Sequence, residues 1–96
     1  MARFLPSPVF AFTQTVIDWF DGHTESLNEH TGRVLMKSIP DGVYFRNLDE
    51  TLTATIEISG ALVTVNILED RVVKDTIWFA EDEVDRYCEV VLNHYL

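Results

Sequence analysis

Hydrophobic and polar residues follow a helical period near both ends of the chain and a strand period between the ends. Apolar residues recur at every third or fourth position from Val9 to Phe20, which predicts a helix with one buried face. Ser7 and Pro8 are typical of a helix start, as N-cap and first helical residue, and the Asp-Gly pair at 21–22 is typical of a stop.

A second helix is predicted over 81–95, where apolar residues again fall on one stripe. That stripe consists of Val84, Tyr87, Cys88, Val91, Leu92 and Tyr95. The polar stretch 22–32 contains one apolar residue, Leu27, and shows no period, so a loop with room for one helical turn is predicted there. Residues 1–7 are predicted to form an extended N-terminus.

Five short runs rich in β-branched and aromatic residues predict five strands. They cover 33–39, 43–47, 51–58, 61–68 and 71–79. The third run alternates most regularly between apolar and polar residues, which indicates a sheet with one buried and one solvated face.

Short turns separate these runs, at Pro40-Asp41-Gly42, at Ser59-Gly60 and at 69–71. Because parallel crossovers need a dozen or more residues, such connections favour an antiparallel meander. The sequence therefore predicts one α+β domain over 1–96, in the order α-β-β-β-β-β-α. We expect its two terminal helices to pack on one face of a curved, five-stranded antiparallel sheet.

The composition is that of an ordinary globular protein, with 47% hydrophobic and 24% charged residues, so disorder is not expected. The charge is more informative. Seven Lys and Arg against 16 Asp and Glu give a formal net charge of −9. This charge disfavours direct binding to nucleic acid or to anionic membranes, and it favours a protein partner with a basic surface or a basic cleft. The alternative is that the negative charge only keeps the protein soluble and binds no partner.

The acidic residues are densest in the stretch 81–89. It contains Glu81, Asp82, Glu83, Asp85 and Glu89, with Arg86 as the single base. The helix dipole accounts for negative charge in a first turn, but it does not account for Glu89. Spacings of four residues place Glu81, Asp85 and Glu89 on one outer face, where like charges repel slightly.

Two interpretations of this stretch remain open: a solvated helix face, or a carboxylate ridge that docks on a basic partner. In one version the ridge mimics the phosphates of a nucleic acid and occupies a nucleic-acid-binding cleft. We expect Glu57, Glu69 and Asp70 to extend the ridge if the third and fourth strands lie beside the last helix.

A second candidate site centres on Asp75. This residue shares the phase of three apolar neighbours in the fifth run, Val73, Ile77 and Phe79. If the Asp75 side chain points into the core, burying its charge costs free energy unless the carboxylate is paired. Such a carboxylate would indicate a ligand-binding or enzymatic pocket between the sheet and the helices. The other residues of this pocket would be Tyr44, Arg46 and Trp78. The favoured alternative is an edge strand or a bulge that turns Asp75 outward.

The chain is also rich in large aromatic residues. Phe10, Trp19 and Trp78 exceed what one thin core needs, so a homodimer or an assembly subunit with an aromatic interface is a third hypothesis.

Several site types find little support in the sequence. His23 and His30 lie seven residues apart, and two histidines do not specify a metal site. Cys88 lies in the apolar stripe and does not face His94 on the helix, so a buried, inert thiol is the favoured interpretation. No catalytic or cofactor motif is present, so neither an enzyme nor a cofactor is expected.

The single cysteine allows no intrachain disulfide, and no secretory signal or membrane-length apolar stretch is present, so a cytoplasmic location is expected. In shape and charge the predicted protein loosely resembles small acidic binding proteins such as secretion chaperones, immunity proteins and phage-encoded inhibitors. The sequence therefore favours a non-enzymatic protein-binding module of the inhibitor or chaperone type.

Overall fold

The computed structural model describes residues 8–96, without the side chains at positions 8, 28, 30 and 31. The helices are α1 (Pro8–Asp21), α2 (Thr24–Thr31) and α3 (Val84–Tyr95). The strands are β1 (Val34–Ile39), β2 (Gly42–Asn47), β3 (Leu52–Ser59), β4 (Leu62–Glu69) and β5 (Val72–Ala80).

The five strands form one sheet in sequence order, and every neighbouring pair is antiparallel. Both terminal helices contact this sheet, α1 through β2 and α3 through β3 and β4. The predicted α+β fold, a meander flanked by terminal helices, is therefore confirmed. The described helices include none that is long and apolar enough to cross a membrane.

The segment 22–32 differs from its prediction, because it contains the helix α2 rather than a loop. Leu27, its one apolar residue, is only 3% exposed and belongs to the core, and α2 contacts α3 and β1. Among the described side chains of this helix Leu27 is the buried anchor, and a single apolar residue creates no period that sequence analysis could detect. The predicted Ser7 cap and extended N-terminus lie outside the described residues.

The last helix begins at Val84 and not at 81, so its predicted start is wrong by three residues. The backbone of 81–83 forms a turn instead, in which the N–H of Glu83 donates to the carbonyl of Ala80 (3.1 Å). Glu83 takes the N-cap position, and its side chain accepts a hydrogen bond from the N–H of Ala80 (2.8 Å). Glu81 and Asp82 therefore precede α3.

The core lies between the helices and one face of the sheet. On β3, Ala54, Ile56 and Ile58 are buried, in the predicted phase. From α3 the buried members of the predicted stripe are Tyr87, Cys88, Val91 and Tyr95. The hydroxyl of Tyr95 donates to the carbonyl of Leu52 (3.0 Å), which ties the end of α3 to the start of β3.

The opposite side of the sheet, here called the open face, faces away from the helices. It carries a hydrogen-bonded network across β3, β4 and β5. The amide of Asn66 donates to the hydroxyl of Thr55 (3.1 Å) and to Glu57 (3.3 Å), and it accepts from the hydroxyl of Thr76 (2.9 Å). This network satisfies polar groups in the middle of the open face.

Candidate functional site

The helices and the turn at 81–83 form what we call the helical layer, and this layer is strongly acidic. It contains nine of the 16 carboxylates and one of the seven basic residues. The acids are Asp18, Asp21, Glu25, Glu29, Glu81, Asp82, Glu83, Asp85 and Glu89. All except Glu83 are exposed. The strands and their connections carry seven acids and five bases, so the charge of the chain is concentrated on one side.

The single base of the helical layer is already paired. Nη1 of Arg86 lies 2.6 Å from Oε1 of Glu83, and its guanidinium lies 5.8 Å from the ring centroid of Phe79. The backbone N–H of Ala80, followed by the charge of Arg86, holds the pKa of Glu83 below its ordinary value. The other eight carboxylates of the layer form no ion pair with any residue that the structure describes.

Asp85 is the carboxylate that joins α1 to α3. The indole Nε1–H of Trp19 donates to Oδ1 of Asp85 over 2.9 Å. The ring of Trp19 is stacked on that of His23, with centroids 3.7 Å apart and planes 9° from parallel. Nδ1 of His23 lies 2.7 Å from the backbone carbonyl of Trp19. These contacts fix the relative position of the two helices and of the carboxylates that they carry.

The predicted ridge is only partly formed. Asp85 and Glu89 do lie four residues apart on α3, but Glu81 and Asp82 belong to the preceding turn. The prediction that Glu81, Asp85 and Glu89 form a row on one helix is therefore wrong. The acidic surface spreads over three helices and the turn at 81–83 instead. The sequence analysis did not assign the acids of α1 and α2 to the acidic surface. The absence of any Lys or Arg from 8–31 was a signal that could have indicated them.

The three proposed extensions of the ridge lie elsewhere. Glu57 alternates with Ile56 and Ile58 and points to the open face, where Oε2 accepts hydrogen bonds from Thr55 and Asn66. Glu69 is paired with Leu52, at the end of the sheet where α3 ends, and Asp70 follows it in the turn. Glu57 is thus separated from α3 by the sheet, and the other two lie far from Glu81 and Asp82.

The residues of the alternative pocket do not converge. Asp75 is exposed on the edge strand β5, beside a register shift opposite Ile67 and Leu68. Asp75 is paired with the buried Ile67, so it stays on the core side of the sheet, and it is exposed because it lies at the edge of that side. Tyr44 and Arg46 lie on β2 and Trp78 on β5, three strand spacings or about 14 Å apart. Core side chains occupy the space between the sheet and the helices.

The three aromatic residues considered for a dimer interface lie in separate places. Phe10 and Trp78 are each 60% exposed, but Phe10 is on α1 beside Ile39 and Trp78 is on the open face, opposite Thr64. Trp19 is half-buried between helices. They do not form one continuous patch.

Cys88 is fully buried, and burial, reinforced by Asp85 and Glu89, raises the pKa of its thiol to about 12. It therefore stays protonated near neutral pH and is a poor nucleophile, as the apolar stripe indicated. Within the described residues, His, Cys, Asp and Glu form no group of three or more that could hold a metal ion.

Comparison of the chain with protein-family models, with curated proteins and with solved structures finds no match. The functional conclusion therefore depends on the chemistry of the helical layer itself.

Proposed function

We propose that this chain is a non-enzymatic binding module of the inhibitor or chaperone type, whose helical layer docks on a basic surface or basic cleft of a partner protein. The observation that supports the proposal is the set of eight carboxylates of the helical layer that form no ion pair with a described residue. They are carried by three helices that pack together and by the turn before α3. A reducing compartment such as the cytoplasm suits the free thiol of Cys88.

The charge distribution favours a partner over mere solubility because it is one-sided. A surface that serves solubility alone gains nothing from concentrating acids on one face, where they repel one another. A concentrated field attracts a basic surface from a distance, accelerates encounter and orients the chain before contact.

Rigidity adds to the case for docking. The hydrogen bond from Trp19 to Asp85 and the buried Leu27 hold three helices together before any partner arrives. A layer that is already ordered loses little further conformational freedom on binding. Carboxylates held on a fixed frame are also what a mimic of nucleic-acid phosphates needs, so a basic nucleic-acid-binding cleft is the partner surface that we expect.

Charge reversal on the helical layer tests this proposal. Glu25, Glu29 and Glu89 are exposed and make no side-chain hydrogen bond or ion pair with the described residues, so changing all three to Lys leaves the packing intact. A matched control changes three exposed acids of the sheet region to Lys, namely Asp41, Glu69 and Asp75. Both variants alter the net charge equally.

The partner is first captured at low salt from a lysate of the native host, eluted with NaCl and identified, and its Kd is then measured by calorimetry. We expect at least a tenfold weaker Kd for the helical variant, and less than a threefold change for the control. An equal loss of affinity in both variants would show that only the net charge matters, and it would refute docking through the helical layer. Circular dichroism checks that both variants are folded.

A further inference from the structure

A shallow depression, wide open to solvent and of about 480 Å³, lies at one end of the sheet, where the connection between β3 and β4 meets the turn that precedes α3. Its lining consists of Ala61, Ala80, Glu81 and Asp82. Two small methyl groups thus provide an apolar floor, and two carboxylates stand beside it. Such a combination suits a side chain with an apolar stem and a cationic end.

Backbone hydrogen bonds form this depression in the absence of any partner. The N–H of Glu81 donates to the carbonyl of Ala61 (3.2 Å), which joins the two connections. The N–H of Ala80 donates to the carboxylate of Glu83 (2.8 Å), which fixes the turn from the other side. A preformed site loses less entropy when it is filled.

The two carboxylates at the depression are unpaired. Glu81 and Asp82 are exposed, and neither makes an ion pair or a side-chain hydrogen bond with a described residue. Arg86, the base closest in the sequence, is held by Glu83 at 2.6 Å. A cation that enters the depression therefore meets two carboxylates without displacing an existing partner.

An apolar strip on the open face leads to the depression. Trp78 precedes Ala80 by two residues on the same face of β5, about 7 Å along the strand. Leu62 is paired with Ala80 on the neighbouring strand. Both side chains are exposed, Trp78 at 60% and Leu62 at 47%. Exposed apolar groups beside a charged depression are typical of interaction surfaces.

We propose that this depression is a subsite for an arginine side chain of the protein partner, an inference that depends on the proposed function. The methylene stem lies on Ala61 and Ala80, and the guanidinium receives charge-assisted hydrogen bonds from Glu81 and Asp82. Trp78 presents a ring to the same cation or to a flanking apolar residue. Arginine is preferred to lysine because its planar fork can bind two oxygens at once.

A titration of the full-length, ¹⁵N-labelled chain with tetra-arginine and with tetra-lysine tests the subsite. The two peptides carry the same charge, so nonspecific attraction affects both alike. With tetra-arginine we expect amide shifts at 61–62 and 80–82, together with a shift of the Trp78 indole N–H. A shift of the Trp19 indole N–H would report binding at Asp85 in the helical layer instead. We expect at least threefold tighter binding of tetra-arginine than of tetra-lysine.

The variant Ala80→Leu fills the depression and leaves every charge in place. Ala80 is exposed, so the larger side chain is tolerated, and Ser26→Leu places a leucine at an exposed position of α2 outside the depression. We expect Ala80→Leu to weaken tetra-arginine binding at least fivefold and Ser26→Leu to leave it unchanged.

Three other outcomes would overturn the subsite. Equal affinity for the two peptides would do so, as would unchanged binding in Ala80→Leu. Shifts confined to the helices, lost when Glu25, Glu29 and Glu89 become Lys, would also overturn it while leaving the proposed function standing. Failure of both peptides to bind anywhere would count against both proposals.

Discussion

Three ionisable side chains of α3 are buried in the core as neutral groups. Tyr87, Cys88 and Tyr95 are each no more than 2% exposed. Burial is the main reason that the pKa of each one is raised above its ordinary value, with the carboxylates near Cys88 as a smaller contribution. The hydroxyl of Tyr95 still finds a partner in the carbonyl of Leu52, as a buried polar group requires.

These raised pKa values predict a loss of stability at alkaline pH. A group whose pKa is higher in the folded state contributes its full stabilisation below its unfolded pKa, and loses it as pH rises toward the folded value. The ordinary values are 9.0 for Cys88 and 10.0 for the tyrosines, so the loss begins near pH 9. Each group contributes at most about 1.4 kcal/mol per pH unit.

Urea unfolding at pH 7, 9, 10 and 10.5 measures this loss as the free energy of unfolding. The variant Cys88→Ala is the control. It is less stable at pH 7 because it leaves a cavity. Its alkaline decline begins about one pH unit later because only the tyrosines then ionise on unfolding. A flat profile up to pH 10.5 would show that these groups are solvated in the folded protein.

At the scale of elements, the sequence predicts the helices and strands that have a periodic pattern, and it does not predict features that depend on a single tertiary contact. The alternation in β3 correctly assigned its buried face, and it already placed Glu57 on the opposite face from Ile56. The positions of α2 and of the start of α3 depend on individual contacts instead. Leu27 joins the core where α2 contacts α3 and β1, and no local pattern encodes such a contact.

The dependence of α2 on one anchor predicts a local effect of Leu27→Ala. Truncating a buried leucine costs about 2–5 kcal/mol, and α2 offers no second apolar side chain to compensate. We expect the amides of 24–31 to lose most of their protection in hydrogen exchange, while β3 and β4 lose only what the global destabilisation explains. Ser26→Ala, at an exposed position of the same helix, is the matched control. Uniform loss of protection would show that α2 folds as one unit with the sheet.

At the scale of the whole molecule, the acidic helical layer arises from tertiary packing. The sequence showed the dense stretch at 81–89, but the acids of α1 and α2 become part of one surface only because those helices pack on the same face of the sheet. For this reason the predicted ridge included no acid of α1 or α2. The repulsion that the layer accumulates belongs to the folded state, because unfolding separates these carboxylates.

This stored repulsion predicts that salt stabilises the protein. Asp85 and Glu89 lie four residues apart on α3, or about 6 Å along its axis, which is well within the screening length of about 30 Å at 0.01 M salt and beyond that of about 4 Å at 0.5 M. We therefore expect the free energy of unfolding to rise by about 1 kcal/mol between 0.01 and 0.5 M NaCl, as several like-charge pairs of a few tenths each are screened.

Neutral variants separate this screening from a general effect of salt. Changing Glu25, Glu29 and Glu89 to Gln removes part of the repulsion, so this variant should be more stable than the parent at 0.01 M NaCl and should gain less on addition of salt. Changing Asp41 and Asp75 to Asn and Glu69 to Gln removes the same number of charges from the sheet region, where bases are mixed with acids. That control should keep a gain close to that of the parent. If both variants gain equally, the repulsion is spread over the whole surface, and the concentration of acids in the helical layer has no energetic consequence of its own.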